Sequence, residues 1–205
     1  MRENLFRAAA LGSLAVLLLA MGAALRPWLV AGESAPVLDA VEIGFVQDMV
    51  AHHGQALMLV QRLDRDADPA VVALAGQIAD TQRTELGMLL GWLRLAGAPV
   101  TNATPMSWMP TGHAHTGSTV PQRDSAMPGM ASTADLDELA AAEPGRAEVL
   151  FLRLMQRHHH GGIAMAAAVD ALLTGGEVQR SARDMITEQG REAGLLGLLL
   201  DQRGG

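Results

Sequence analysis

The chain has 205 residues with 22 acidic against 15 basic side chains, a net charge of −7, and no cysteine. An acidic chain without a basic stripe is a poor partner for nucleic acid, and the missing thiol excludes disulfides, thiolate metal ligation and a cysteine-borne lipid anchor. Aromatic residues make up only 3% of the chain, so small and flexible apolar side chains must fill whatever core exists.

The first element is an uncharged run, AAALGSLAVLLLAMGAAL, between Arg7 and Arg26. As a helix it approaches the hydrocarbon thickness of about 30 Å. It predicts a membrane-targeting segment over residues 1–31. Arg2 and Arg7 ahead of it favour an N-terminus inside and the rest of the chain outside. Retained, the segment is a single-pass transmembrane anchor that makes the cell membrane a partner. Cleaved near the small-residue stretch Leu29 to Ala31, it is a signal that leaves a secreted protein.

Residues 38–201 form one domain's worth of chain. A helix is expected from about Leu38 to Leu63, and Asp68 with Pro69 opens a second that runs to Ala96. Gly97 and Pro99 stop it. Residues 97–132 are rich in Pro, Gly, Ser and Thr and read as a crossover loop. Ser132 or Thr133 can cap a short helix through Ala142. Pro144 and Gly145 then break the chain before a helix from about Arg146 to the Gly175–Gly176 pair, and a last helix runs from Glu177 to Leu200.

Two of these helices repeat one pattern. FVQDMVAHHGQALMLV (residues 45–60) and FLRLMQRHHHGGIAMA (residues 151–166) align Phe45, Met49, His52, His53, Leu57 and Leu59 with Phe151, Met155, His158, His159, Ile163 and Met165. With one residue slipped in the connecting loop, Ile78, Gln82, Glu85, Leu89 and Trp92 align with Met185, Gln189, Glu192, Leu196 and Leu199. Each unit is an αα-hairpin that cannot cover its own apolar stripe. Two of them imply an all-α four-helix bundle in which the histidine pairs approach each other.

Residues three, four and seven apart share a helix face, so Met49 lies in line with His52 or His53, and Met155 with His158 or His159. Met165 continues the second stripe. The crossover adds Met106, Met109, His113, His115, Met127 and Met130, in polar sequence with no evident core for methionine to fill. Thioethers and imidazoles together suit copper, with thioether favouring Cu(I). The bundle positions are expected to dominate, because loop ligands pay ordering entropy and form a weaker capture segment. Gln82, Glu85, Gln189 and Glu192 are candidates to hydrogen-bond the imidazoles or to line helix seams, and Glu42 and Glu148 share that ambiguity. His160 faces Gly54 in the other copy and is as well placed for solvent as for binding. Core methionines and hydrogen-bonded histidines also serve structure alone, so a metal-free structural or partner-binding bundle stays open.

Common catalytic schemes do not fit. No Glu has a His three residues on, as di-iron bundles require, and there is no His-Glu-x-x-His motif, phosphate loop or nucleophile elbow. The chain is therefore not expected to be an enzyme, and a metal-dependent redox activity ranks last among its readings.

The repeats resemble the DUF305 family: an acidic residue, Phe, Met, a His-His pair, a small-residue and Met-Ala face, then a second helix with Gln-x-x-Glu. The matching residues are Glu42, Phe45, Met49, His52, His53, Ala56, Gln82, Glu85 and Trp92, and then Glu148, Phe151, Leu152, Met155, His158, His159, Ile163, Met165, Ala166, Gln189 and Glu192. The resemblance implies a ferritin-like bundle, export, and copper binding of the kind linked to copper tolerance, for sequestration or delivery, with a homo-oligomer or a copper-handling protein as further partner. Departures are Glu for the usual Asp before Phe in both copies, Leu59 and Val60 for Met-Ala in the first, and Leu199 opposite Trp92. They imply that the second half is the better metal binder.

Overall fold

The computed structural model describes residues 2–30, 36–64, 66–109 and 127–204. The chain divides into two compact units, Met1–Pro36 and Val37–Gly205. The first holds helix α1 (Arg2–Val30). Among the described residues no helix is long and apolar enough to cross a membrane. This overturns the expected transmembrane helix, and with it the membrane as a partner and the single-pass placement. Length gives a physical reason: the uncharged run from Ala8 to Leu25, bounded by Arg7 and Arg26, is about 27 Å long as a helix, short of a hydrocarbon core of about 30 Å. Ala31, the end of the stretch expected to mark cleavage, lies outside the described residues.

The second unit contains α2 (Ala40–Arg62), α3 (Pro69–Leu95), α4 (Thr133–Ala141), α5 (Pro144–Leu172) and α6 (Glu177–Asp201). Six helices among the described residues replace the expected four-helix bundle. The difference inside this unit is α4, expected as a short helix after the crossover but not as a member of the bundle; it contributes to the core. Ser132 starts it with a reciprocal capping box, its hydroxyl accepting from the Asp135 N–H at 3.1 Å while the Asp135 carboxylate accepts from the Ser132 N–H at 2.9 Å. Leu136 and Leu139, three apart and so on one face, then bury against α2 and α5.

The other ends follow the same local chemistry. Asp39 and Glu42 form a capping box at the start of α2, and the Asp68 carboxylate accepts from the Ala70 N–H ahead of Pro69. Pro144 does not break a helix but begins one, because a first-turn proline lacks only an N–H that has no intrahelical partner.

The α2–α3 and α5–α6 hairpins meet through α2 against α5 and α3 against α6. Two apolar clusters fill the interior. One gathers Leu59, Ile78, Leu136, Phe151, Met155 and Leu196, and the other Phe45, Met49, Leu89, Trp108, Met165 and Met185. Along α2 and along α5, the histidine pair comes between the residues given to one cluster and those given to the other. A polar layer thus interrupts the core in both central helices.

Candidate functional site

His52, His53, His158 and His159 are all buried, none more than 1% exposed. The structure brings His52 and His158 together, with ring centroids 3.8 Å apart. Each imidazole uses Nε2 in a hydrogen bond. His52 Nε2 donates to the Pro128 carbonyl at 3.1 Å and His158 Nε2 to the His52 carbonyl at 3.0 Å. His53 Nε2 lies 2.6 Å from Glu85 Oε2, and His159 Nε2 lies 2.7 Å from Glu192 Oε2.

These partners fix the tautomer. A carbonyl oxygen only accepts, so the proton of His52 and of His158 sits on Nε2, and a carboxylate imposes the same choice on His53 and His159. The Nδ1 of His52 and of His158 is left with a lone pair, and all four Nδ1 atoms are buried without a hydrogen-bond partner. A buried acceptor left unsatisfied costs about 1–3 kcal/mol. Burial, and next the neighbouring His53, push His52 down to about 3. Burial and the adjacent His52 push His158 well below the ordinary histidine value. Both rings are therefore neutral near pH 7, and their lone pairs are available to a cation. Among the described residues, however, no group of three or more His, Asp or Glu side chains stands ready to hold a metal ion.

Other candidates separate by location. Met49 and Met155, one turn before the histidine pairs, are fully buried, as is Met165. Met106, Met109 and Met127 are half-buried and pack against the Phe45 cluster, so this part of the crossover does have a core to fill. Met130 is half-buried, and His113 and His115 lie outside the described residues. His160 is exposed. Glu42 serves as a cap, and Glu148 accepts from the Asp68 N–H and from Arg203, so neither partners an imidazole. Gln82 and Gln189 are 1% exposed, with Gln82 Oε1 and Gln189 Nε2 unpartnered, as is Glu192 Oε1.

Several residues that build the site carry no motif. Asp48, 2% exposed on α2, accepts from Asn102 Nδ2 (3.1 Å), the Met106 N–H (2.7 Å) and Trp108 Nε1 (2.8 Å), seating Trp108 edge-on against Phe45. Gln55 grips Ala131 by both amide groups, donating to its carbonyl at 2.9 Å and accepting its N–H at 2.6 Å. Between these anchors the Pro128–Gly129 backbone lies on Gly161, where a Cβ would collide with the Pro128 carbonyl. Gly129 itself has φ +77°, which suits glycine. The Pro128-Gly129 step, a turn signal in the sequence, was the available sign of this strap.

The family profile of a domain of unknown function, DUF305, matches residues 42–200. A crystal structure of a DUF305 protein from Streptomyces coelicolor, described as a candidate secreted protein, is 36% identical, with a TM-score of 0.69 over 80% of this chain and 93% of that one. A DUF305 fragment from Deinococcus radiodurans is 31% identical, with a TM-score of 0.65 over 80% of this chain and 97% of that one. CopM, solved in a Cu(II)-bound form, shares the fold at 21% identity and a TM-score of 0.59, over 78% of this chain and 96% of that one. Its Cu(I)-bound form gives the same identity and TM-score. Among curated proteins, none matches the chain.

Proposed function

The chain belongs to the DUF305 family, and from that premise we propose that its buried histidine layer binds copper as cargo, for sequestration, tolerance or delivery outside the cytoplasm. The observation that carries this reading is the set of four unpartnered Nδ1 atoms on imidazoles whose Nε2 positions are held by carbonyls and carboxylates. Holding the far nitrogen in this way is how proteins orient imidazole for a metal. CopM, which has the same fold and was solved with copper in both oxidation states, makes copper the first ion to test. Met49 and Met155 supply thioethers one turn from the histidines, which favours Cu(I) over Zn(II). An exported, secreted domain is supported by the arginines ahead of the apolar run and by the Streptomyces coelicolor relative.

An anaerobic Cu(I) titration of the purified protein against a competing chelator tests it, with His158→Gln/His159→Gln alongside. Glutamine keeps a donor for Glu192 while removing the ring nitrogens. The expected result is stoichiometric tight binding that weakens at least tenfold in the variant. A parent that does not compete with the chelator sinks the proposal.

A metal-free structural or partner-binding bundle is the second reading. It is favoured by the absence, among the described residues, of a ready-made group of metal-binding side chains, and by the fact that every imidazole already makes a hydrogen bond. Under it the variant loses stability while neither protein binds copper.

A further inference from the structure

The four imidazoles are closed off from solvent in different ways. His53 and His159 end on Glu85 of α3 and Glu192 of α6, and His158 ends on the His52 carbonyl of the facing helix. Each of these covers is part of a long helix with its own backbone ladder. His52 differs. Its Nε2 ends on the Pro128 carbonyl, in a stretch ahead of α4 that belongs to no helix. Residues 127–130 are half-buried, whereas His52 beneath the Pro128 carbonyl is fully buried. His158 packs on His52 with ring centroids 3.8 Å apart, so whatever reaches one ring is beside the other.

This cover is laid on the bundle rather than interlocked with it. A Cβ at Gly161 of α5 would collide with the Pro128 carbonyl, and one at Gly129 would collide with the Arg157 carbonyl. The two surfaces meet there backbone to backbone, and they part without a side chain having to withdraw. At the far end Gln55 clasps Ala131 by two hydrogen bonds. Just beyond, the Ser132 capping box and the buried Leu136 and Leu139 hold α4 in place. A stretch fastened outside any helix opens locally at a lower free energy than the helices under it.

His52 is both the residue covered and the fastening. A cation on its Nδ1 would draw charge from the ring and make the Nε2–H a stronger donor, and a charge-assisted hydrogen bond is roughly twice as strong as a neutral one. Loading would then tighten the cover, and by linkage a fastened cover would hold the ion more tightly.

We propose that residues 127–131 form a lid over His52, hinged at the α4 cap, which opens to admit a metal cation to the histidine layer and is latched through the Pro128 carbonyl once the cation is bound. The lid is a property of the fold, and its role toward copper rests on the copper reading of the histidine layer.

Carbethoxylation by diethyl pyrocarbonate tests the lid in the metal-free protein, with labelling resolved residue by residue near neutral pH. Exposed His160 is the internal standard. Gln55→Ala removes both hydrogen bonds to Ala131 while leaving a good helix former in α2, and melting curves check that it folds. The expected result is that His52 reacts at least tenfold faster in Gln55→Ala than in the parent, with His159 unchanged. In the parent, urea well below the unfolding transition should speed His159 and leave His52 unaffected, because a local opening exposes little surface. If His52 reacts at the same rate in both proteins, or follows His159 in its response to urea, residues 127–131 are a fixed part of the core and the proposal fails. Should Gln55→Ala not fold, the urea response of the parent decides. Copper then tests the latch: release to excess chelator should be at least tenfold faster from Gln55→Ala. A parent that binds copper and releases it as fast as the variant overturns the latch. A parent that binds no copper sinks the copper reading and the latch with it, while the labelling still decides the lid.

Discussion

The two histidine pairs come from one repeated pattern, yet they live in different surroundings. His159 Nε2 hydrogen-bonds to Glu192, a carboxylate only 1% exposed, whereas the side chain of Glu85, partner to His53, is 13% exposed. His158 leans on the backbone of the opposing helix, while His52 leans on the crossover at Pro128. The second pair is thus enclosed by the bundle itself, and the first is completed by a strap. Repetition specified the ligand-like atoms, and the asymmetry arose from what the chain could lay over them.

The largest effect that can break this comparison is removal of an imidazole from a carboxylate. His159→Ala strands Glu192 in the core and should cost about 3–5 kcal/mol, the range for a buried pair deprived of one partner. His53→Ala leaves Glu85 a route to water and should cost roughly half as much, within the scatter of single-site effects. Urea unfolding of the two variants side by side checks the ranking. Equal losses would mean that the difference in exposure has no energetic content.

Gly161→Ala comes next. Its methyl group would press on the Pro128 carbonyl and on Gly129, which are backbone and cannot rotate away, so about 2–3 kcal/mol of overpacking is expected. Gln55→Ala, which opens the other fastening of the strap, should cost about 1–2 kcal/mol for two hydrogen bonds. A Gly161→Ala protein as stable as the parent would show the strap to be dispensable.

Acid sharpens the comparison more gradually. His52 sits near 3 in the folded protein against about 6.5 when unfolded, and His158 is lowered in the same direction. The unfolded chain therefore binds more protons between these values. The stability is fully present above about pH 6.5 and is lost as the pH falls from there toward 3, at up to about 1.4 kcal/mol per pH unit for His52. Urea midpoints at pH 7.5, 6 and 5 measure the slope, and His52→Gln should flatten it. A midpoint that does not move over this range would remove the case for buried neutral imidazoles.

The smallest effect is expected at Gly162. A methyl group there meets only the carboxamide of Gln189, the end of a flexible side chain, and the corresponding residue of the first half is already Ala56. Gly162→Ala should stay within about 1 kcal/mol of the parent in melting experiments, with better helix propensity offsetting the crowding. A large loss would mean that Gln189 is fixed in place by a role that Gln82 does not share.

Much of this was legible from periodicity. Register along α2 and α5 carries Phe45, Met49, His52 and His53 with their second-half equivalents, and the slipped alignment of α3 and α6 brings Glu85 and Glu192 opposite a histidine. Helical spacing encodes such contacts because it fixes which residues share a face. Contacts made by the returning crossover leave no comparable trace. The Pro128 carbonyl on His52, the approach of Gly129 to Gly161 and the triple acceptance by Asp48 depend on where a Pro- and Gly-rich segment returns, and no periodicity records that. The same blind spot hid the burial of Met106, Met109 and Met127, and it led α4 to be left out of the bundle although its Ser132 cap was visible. The apolar run near the N-terminus misled in the opposite way, since its hydropathy is high while its uncharged length, about 27 Å as a helix, falls short of a hydrocarbon core of about 30 Å.

The attachment of the crossover has one more consequence. Gln47 holds Pro99, Asp48 holds Met106 and Trp108, and Gln55 holds Ala131, so both flanks of the connection are tied to a single helix. The tie points Asp48 and Gln55 are seven residues apart, roughly 10 Å of helix. Whatever chain joins the flanks need only close this short gap, and doubling the length of a closing loop costs only about 0.6 kcal/mol. Insertion or deletion between the flanks is therefore cheap for the fold, and this stretch can change its length and its complement of His and Met without disturbing the bundle beneath it.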